Sequence, residues 1–206
     1  MKLLITRPDL DARALSARLE EAGFEALVSP LLEISPVESA PDTGEVDALV
    51  FTSANAVEAF AIWQDDNDPL LSKPVYVVGE KTAAAARAAG FDNCHVADGS
   101  VDDLITLIPQ NPHEGECWAY ISGDPIKRDL DAPLQALGIT LDRHIVYEAR
   151  AIEHLNDEAR QALTLGEIDA VVFYSPRSVN LLISALEKAG LNSAVEDLRA
   201  LCLSEA

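Results

Sequence analysis

Two stretches of the sequence, DALVFTSANAVEAF (residues 47–60) and DAVVFYSPRSVNLL (residues 169–182), repeat one pattern. Each runs from an apolar segment into a serine, Ser53 or Ser175, and then into a helix-forming segment. Serine is a favoured helix N-cap residue. The first turn behind such a cap offers unpaired backbone N–H groups and the positive end of the helix dipole, which together can bind an anionic oxygen. The repeat therefore predicts two anion-binding junctions of similar build, although a single cap more often only completes its helix.

Three further strand-to-helix junctions are predicted. One follows the first apolar segment at TRPDLDAR, and another contains Gly79. In the third, Gly123 precedes Asp124 as the predicted cap and Pro125 as the predicted first helical residue. The carboxyl ends of parallel strands meet at one sheet edge, so we expect a polyanion site there, built mostly from neutral N–H and hydroxyl donors. The basic residues at or near the junctions are Arg7, Lys81, Lys127, Arg128 and Arg177.

Tyr147, in RHIVYEAR, is the candidate for acid chemistry. It is predicted at the end of a strand, where it is either an ordinary half-buried tyrosine or, at the mouth of a cleft, a proton donor to a leaving hydroxyl. The sequence contains no G-x-G-x-x-G, no G-x-x-x-x-G-K-[ST] and no G-x-S-x-G motif. Hydride transfer, phosphoryl transfer and serine hydrolysis therefore lack their simplest motif support.

The composition limits the partners. The net charge is −20, and 49% of the residues are hydrophobic, which indicates an acidic globular protein. Such a surface repels nucleic acid and anionic lipid, so neither is expected as a partner. The apolar opening segment is shorter than a signal peptide and no run approaches a membrane span, which predicts a cytoplasmic protein. Cys94, Cys117 and Cys202 have no C-x-x-C spacing, so we expect reduced thiols and no metal site.

The pattern of apolar segments predicts the elements that position these residues. Helical patterns end at Gly23, Gly90 and Gly190, and they alternate with strand-length apolar segments, several of which are continuous, as in strands buried on both faces. This alternation predicts a parallel α/β fold. The predicted strands lie in residues 2–6, 25–30, 47–52, 74–79, 117–122, 143–149, 169–174 and 199–204.

Two stretches, residues 31–46 and 148–159, interrupt the alternation and are interpreted as a pair of connectors. If the chain leaves one domain at the first and returns at the second, residues 36–149 form a middle domain inserted into a terminal one made of residues 1–35 and 150–206. The two serine junctions then belong to two similar halves, which we expect to face each other across a cleft.

At these residues the sequence resembles the uroporphyrinogen-III synthase family. The segments TRP, VFTSANAVEAF, VYVVGEKTAAAARAAGF, SGDPIKRDLDAPLQALGI, VYEA and VFYSPRSV follow in the family's order and spacing over the whole chain. The resemblance implies two parallel-sheet α/β domains joined by a two-stranded connector. It also implies a monomeric lyase, without metal or cofactor, that closes hydroxymethylbilane into uroporphyrinogen III by inverting ring D and losing water. This substrate carries eight carboxylates, which suits the predicted polyanion site.

The resemblance also assigns roles to individual residues. Tyr147 matches the family's cleft tyrosine and becomes the candidate proton donor. Asn55 stands where many members have arginine. Ser53, Thr82 and Ser175 match polar positions of the family. The full set of implied substrate-binding residues is Arg7, Thr52, Ser53, Asn55, Thr82, Ser100, Gly123, Lys127, Arg128, Ser175 and Arg177.

In one respect the sequence departs from the family. Members continue beyond the strand equivalent to RALCLS into another βα unit, and this chain ends at Ala206. We therefore expect a terminal domain that lacks one wall of the cleft and has an exposed sheet edge through which chains can associate. Two alternatives stay open: a non-catalytic binder of a polycarboxylate or tetrapyrrole, and a receiver-like or flavodoxin-like regulatory module.

Overall fold

The computed structural model describes residues 1–65, 68–110, 117–126, 128–195 and 198–202. In chain order, its strands and α-helices are β1 (Lys2–Ile5), α1 (Asp9–Glu21), β2 (Glu25–Val28), β3 (Leu32–Pro36), β4 (Ala48–Phe51), α2 (Ala54–Ala61), β5 (Val75–Val77), α3 (Glu80–Ala88), β6 (Cys94–Val96), α4 (Val101–Leu107), β7 (Trp118–Asp124), α5 (Asp131–Gln135), β8 (Leu141–Ala151), α6 (Asp157–Thr164), β9 (Ala170–Phe173), α7 (Pro176–Ala189) and β10 (Arg199–Cys202). Short 3₁₀ turns lie at Pro69–Ser72, Ile108–Gln110 and Asn192–Val195. The predicted parallel α/β fold is confirmed.

The chain forms two compact units. The terminal unit comprises Met1–Ile34 and Arg150–Ala206, and the middle unit comprises Ser35–Ala149. Strands β3 and β8 pass through both limits and are neighbours in one sheet. Their pairing is antiparallel, because Leu31 bonds to Ile152 whereas Val37 bonds to Val146. The predicted division into two domains stays a prediction.

The terminal unit is built on a four-stranded sheet of order β10-β9-β1-β2, whose pairs are all parallel. Leu4 and Val171 from neighbouring strands pack with Leu163 of α6 and Leu186 of α7 to form its core. In the central strand β1, Leu3, Leu4 and Ile5 are consecutive apolar residues and all are buried, as expected for a strand covered on both faces. All four residues of the edge strand β10 are exposed.

The middle unit contains a six-stranded sheet of order β3-β8-β7-β4-β5-β6. The side chains of β4 alternate between its two faces. Leu49 and Phe51 join a core with α2 and α3, whereas Ala48 and Val50 join a second core with α4 and α5. Because helices cover both faces, the carboxyl ends of the strands remain the place where polar loops can converge.

The three predicted helix ends are confirmed, whereas most predicted strand ends differ from the observed ones by one or two residues. The helices that were predicted to stop at Gly23, Gly90 and Gly190 do so. Each of these glycines has a positive φ, of 83°, 93° and 69°, a conformation that favours glycine after a helix. Of the helices in the described residues, none combines the length and apolar character that crossing a membrane requires.

The junction predicted after Gly123 is wrong in detail. Strand β7 continues through Asp124, and the following Asp124–Pro125 peptide is cis. Asp124 is therefore not an N-cap and Pro125 does not begin a helix. Helix α5 starts only at Asp131 and has no side-chain cap. Strand β7 runs two residues past the predicted end because Gly123 and Asp124 pair with Tyr147 and Glu148 of β8.

Candidate functional site

The junction between β4 and α2 forms the centre of the candidate site in the middle unit. Ser53 is the N-cap of α2, and its Oγ accepts the N–H of Ala56 at 3.2 Å. The same Oγ lies 3.2 Å from the Oη of Tyr147, a residue 94 positions further along the chain. Strand β7 lies between β4 and β8 in the sheet. The phenol of Tyr147 therefore extends across β7 to reach the serine.

Gly123 is the residue of β7 that lies beneath the Tyr147 ring. A Cβ atom added at Gly123 would lie 2.1 Å from Cζ of Tyr147 and under 3 Å from both Cε atoms. Any side chain at this position would displace the ring. The predicted site residue Gly123 thus contributes space rather than an anion-binding helix terminus.

A second hydroxyl pair lies beside the first. Thr52, the residue after β4, has its Oγ1 2.9 Å from the Oη of Tyr120 in β7. Tyr120 is only 2% exposed. Its burial raises the pKa of the Tyr120 phenol, whereas the bond with Thr52 and the nearby Arg143 guanidinium act to lower it. Sequence reasoning missed Tyr120, because a tyrosine inside an apolar strand segment is indistinguishable from a core aromatic residue.

Three further predicted residues lie on the first turns or caps of the middle unit's helices. Asn55 is half-buried at the start of α2, and Thr82 is 4% exposed at the start of α3. Ser100 caps α4 in a reciprocal capping box with Asp103. Its Oγ accepts the Asp103 N–H at 3.1 Å, and the Asp103 carboxylate accepts the Ser100 N–H at 2.9 Å. The Ser100 hydroxyl is therefore already engaged in helix capping.

The predicted basic residues of this unit differ in their surroundings. Arg128 is exposed and forms an ion pair with Asp102 of α4, with an N–O distance of 2.6 Å. This pair brings Arg128 to the helix that Ser100 caps, and an acidic ligand must compete with Asp102 for the guanidinium. Lys127 lies outside the described residues. Lys81 is exposed in the first turn of α3.

The second serine junction lies in the terminal unit, between β9 and α7. Ser175 caps α7 and accepts the N–H of Ser178 at 3.3 Å, and the two hydroxyls are 3.0 Å apart. The preceding residue, Tyr174, lies under the guanidinium of Arg7, with 3.9 Å from Cζ to the ring centroid. Arg7 also pairs with Asp11 in α1. The structure thus brings Arg7 and the Ser175 junction together, and Arg177 lies half-buried in the first turn of α7.

Taken by unit, the predicted residues form distinct groups. The middle unit holds Thr52, Ser53, Gly123 and Tyr147 in direct contact or in neighbouring positions. This group offers a phenol that can donate a proton, together with hydroxyl and N–H donors for anionic oxygens. Within the described residues, no cluster of three or more His, Cys, Asp or Glu side chains has the arrangement of a metal site.

Parallel α/β sheets whose capped helices and hydroxyl groups gather at the carboxyl edge define a class of proteins that bind small anionic molecules there. The two sheets and the capped helices that follow their strands give this chain the fold of that class. A family model described as "Uroporphyrinogen-III synthase HemD" matches residues 13–206. The chain therefore belongs to the uroporphyrinogen-III synthase family, as the sequence resemblance predicts.

Two curated relatives align along most of this chain. A protein named "Porphyrin biosynthesis protein HemD" from Ruminiclostridium josui is 24% identical, over 98% of this chain and 42% of the relative. A "Uroporphyrinogen-III synthase" from Chlorobaculum parvum is 25% identical, over 94% of this chain and 82% of the relative. The chain thus spans less than half of the first relative and most of the second.

Solved structures match the fold. The uroporphyrinogen-III synthetase of Helicobacter pylori superimposes with a TM-score of 0.66 at 22% identity, covering 98% of this chain and 84% of the other. A mutant uroporphyrinogen III synthase of Thermus thermophilus gives a TM-score of 0.62 at 23% identity, with the same coverage of both chains. At this level of identity the likeness establishes the α/β fold.

Proposed function

We propose that this protein is a uroporphyrinogen-III synthase, a lyase of tetrapyrrole biosynthesis that closes hydroxymethylbilane into uroporphyrinogen III with inversion of ring D and loss of water. Family membership supports the activity. The single observation that carries the chemistry is the contact between the Tyr147 hydroxyl and the N-cap serine Ser53, 3.2 Å apart at the carboxyl edge of the sheet.

In the proposed first step, Tyr147 donates its phenolic proton to the leaving hydroxyl of hydroxymethylbilane, which departs as water. Ser53 supports this transfer, since its Oγ already accepts the Ala56 N–H and its own hydrogen is available to Oη of Tyr147. A hydrogen bond donated to the developing phenolate stabilises that charge. Loss of water leaves a protonated azafulvene, and the substituted pyrrole carbon of ring D attacks it to give a spiro intermediate. The earlier bond from that carbon to its methylene bridge then breaks, the unsubstituted carbon of the inverted ring D bonds to the freed methylene, and the proton lost there returns to the Tyr147 phenolate.

Binding of the substrate carboxylates is assigned to the helix N-termini and the hydroxyl groups of the junctions. A chain with a net charge of −20 repels a polyacid at long range, so its site needs local donors. Holding the folded substrate in a reactive geometry is the main source of rate, with acid assistance second. Cyclisation with loss of water is redox-neutral, so the proposal needs no cofactor. The proposed binding residues are Arg7, Thr52, Ser53, Asn55, Thr82, Ser100, Gly123, Lys127, Arg128, Ser175 and Arg177.

The proposal includes the finer organisation of the chain. Residues 1–35 with 150–206 and residues 36–149 are proposed as two domains, joined by the paired strands β3 and β8 as a two-stranded connector. The formation of two compact units supports this division. We also propose a cytoplasmic monomer whose chains can associate through the exposed edge strand β10.

The test is a coupled assay that identifies the product isomer. Hydroxymethylbilane is generated in situ, the protein is added, the products are oxidised, and the type I and type III uroporphyrins are separated. We expect type III to exceed type I in proportion to the protein added. A product mixture identical to that of the sample without protein would refute the activity. Saturable substrate binding in that case would indicate a non-catalytic binder instead.

A further inference from the structure

Strand β8 carries an irregularity directly before Tyr147. Ser122 of β7 pairs with Ile145, but the next residue, Gly123, pairs with Tyr147. Val146 is therefore an extra residue in β8, which makes this a β-bulge. Bulges next to sites re-aim a side chain relative to the regular pleat. Here the bulge places the Tyr147 ring over Gly123 instead of leaving it in the alternation of the strand.

Arg143, four residues before Tyr147, binds the part of β7 that faces this bulge. Its Nε donates to Ser122 Oγ at 2.8 Å, and its Nη2 donates to the Gly123 carbonyl at 2.9 Å. The same Nη2 lies 3.3 Å from Oδ1 of Asp124. One guanidinium thus bonds to three consecutive residues at the carboxyl end of β7. Its planar, rigid fork of donors suits this better than the single ammonium of a lysine.

The Gly123 carbonyl lies at the register shift between β7 and β8, and the guanidinium donates a hydrogen bond to it there. The Tyr147 ring lies directly on the Gly123 backbone, so the position of that backbone determines the position of the ring. The 3.2 Å separation between Tyr147 Oη and Ser53 Oγ therefore depends on the position of the Gly123 backbone. In enzymes, a displacement of about 1 Å at such a group can reduce the rate by about 100-fold.

We propose that Arg143 is a positioning residue for Tyr147, which it holds in place through Ser122 and Gly123. The inference rests on the proposed function, because it assigns the positioned phenol to proton donation. It differs from the simpler view that an arginine at the carboxyl edge binds a substrate carboxylate directly. A positioning residue acts on Tyr147 before any substrate arrives, whereas a substrate-binding residue acts on the affinity for substrate.

The experiment combines kinetics with fluorine NMR. The chain has four tyrosines, so protein labelled with 3-fluorotyrosine gives a small set of lines, and Tyr147→Phe identifies that of Tyr147. In Arg143→Met we expect the Tyr147 line to shift or broaden without substrate, while the line of Tyr174, in the other unit, stays in place. We expect kcat to fall about tenfold with KM changed less than about twofold, as for a partly displaced catalytic group.

Two further variants complete the test. Arg87→Met removes an exposed arginine of the same unit that pairs with Glu80, and should leave both readouts unchanged. Arg143→Lys keeps the charge but loses the fork, and should restore the Tyr147 line only in part. An unchanged Tyr147 line, whether with a raised KM or with unaltered kinetics, would overturn the inference. If the parent protein makes no type III isomer, the proposed function fails, but the NMR comparison still decides whether Arg143 positions Tyr147.

Discussion

The two serine junctions share their local structure and differ in their neighbours. Ser53 and Ser175 both have extended backbones, with φ and ψ of −155° and 149° in one and −163° and 153° in the other. Each accepts the N–H of the residue three positions on. Beyond the cap, Ser53 contacts the phenol of Tyr147 from a strand two places away, whereas Ser175 contacts the hydroxyl of Ser178 on its own helix.

This difference indicates where the candidate chemistry originates. A serine before a helix produces a capped junction in either unit, and such a cap can bind an anion. Among the residues that the structure describes, the cap in the middle unit alone contacts a phenol, and it does so through a bulged strand and a glycine that leaves room for the ring. In the terminal unit the tyrosine beside the serine, Tyr174, instead packs its ring against Arg7. We therefore expect acid chemistry at one junction and binding alone at the other.

The largest effect is expected from removing the phenol. Tyr147→Phe should reduce kcat by about 100-fold, because a positioned general acid contributes at least that factor. Product binding should change little, since the ring stays over Gly123. The measurement is turnover of hydroxymethylbilane generated in situ, with isomer analysis. Tyr174→Phe is the matched control, since it keeps the aromatic ring under Arg7, and its turnover should match that of the parent. Unaltered turnover in Tyr147→Phe would remove the distinction between the junctions.

A smaller loss is expected from displacing the phenol without removing it. Gly123→Ala would place a Cβ 2.1 Å from Cζ of Tyr147, so the ring must move. We expect kcat to fall about 30-fold, less than for a complete misplacement, and stability to fall by about 1–3 kcal/mol from overpacking. Kinetics and urea denaturation measure the two effects.

The control for Gly123→Ala is Gly79→Ala, also in the middle unit. There the added Cβ would lie 3.2 Å from Cα of Gly99, a tight contact that a small backbone shift can relieve. It involves none of the Tyr147 contacts but lies at the N-terminus of α3, which is assigned to carboxylate binding, so we expect KM to rise and kcat to change little. Equal losses of kcat in the two variants would show that general destabilisation, and not the tyrosine position, reduces activity.

Replacing each serine with alanine compares the two junctions directly. Ser53→Ala and Ser175→Ala should each lower stability by about 1 kcal/mol, because each loses an N-cap. Ser53→Ala should also lower kcat about tenfold, since a hydrogen bond to a charged group contributes about 1.5–3 kcal/mol. Ser175→Ala should raise KM and leave kcat unchanged. If both variants changed KM alone, the Ser53–Tyr147 contact would have no part in proton transfer.

Much of the fold could be predicted because its signals are local. Continuous apolar segments indicate buried strands, and glycines after helical patterns indicate helix ends. Strand β6, with only three residues, was not predicted, because so short a segment carries little pattern of its own. The helix expected after Asp124 was wrong, because the Asp-Pro signal of a helix start also suits a strand that ends in a turn.

The site could be predicted only in part, because some of its contacts join residues that are far apart in the sequence. Ser53 and Ser175 were found because capping depends on a few consecutive residues. Tyr120 and Arg143 were missed because their bonds reach residues 68 and about 20 positions away, across neighbouring strands. Pairing of that kind depends on sheet register, and one extra residue, Val146, changes which side chain faces Gly123.

The smallest effect is expected at Tyr120, which supports the same junction from within the core. Tyr120→Phe should lower stability by about 1 kcal/mol at pH 7, because it leaves the Thr52 hydroxyl without its partner. Burial raises the pKa of folded Tyr120, so its stabilising effect is complete below the unfolded pKa of about 10 and is lost as the pH rises towards the folded value. Urea denaturation should therefore show the difference between parent and Tyr120→Phe shrinking above about pH 10. Tyr76, whose pKa burial also raises, is present in both proteins and cancels. A difference that stayed constant up to high pH would mean that Tyr120 is not held in its neutral form by the fold.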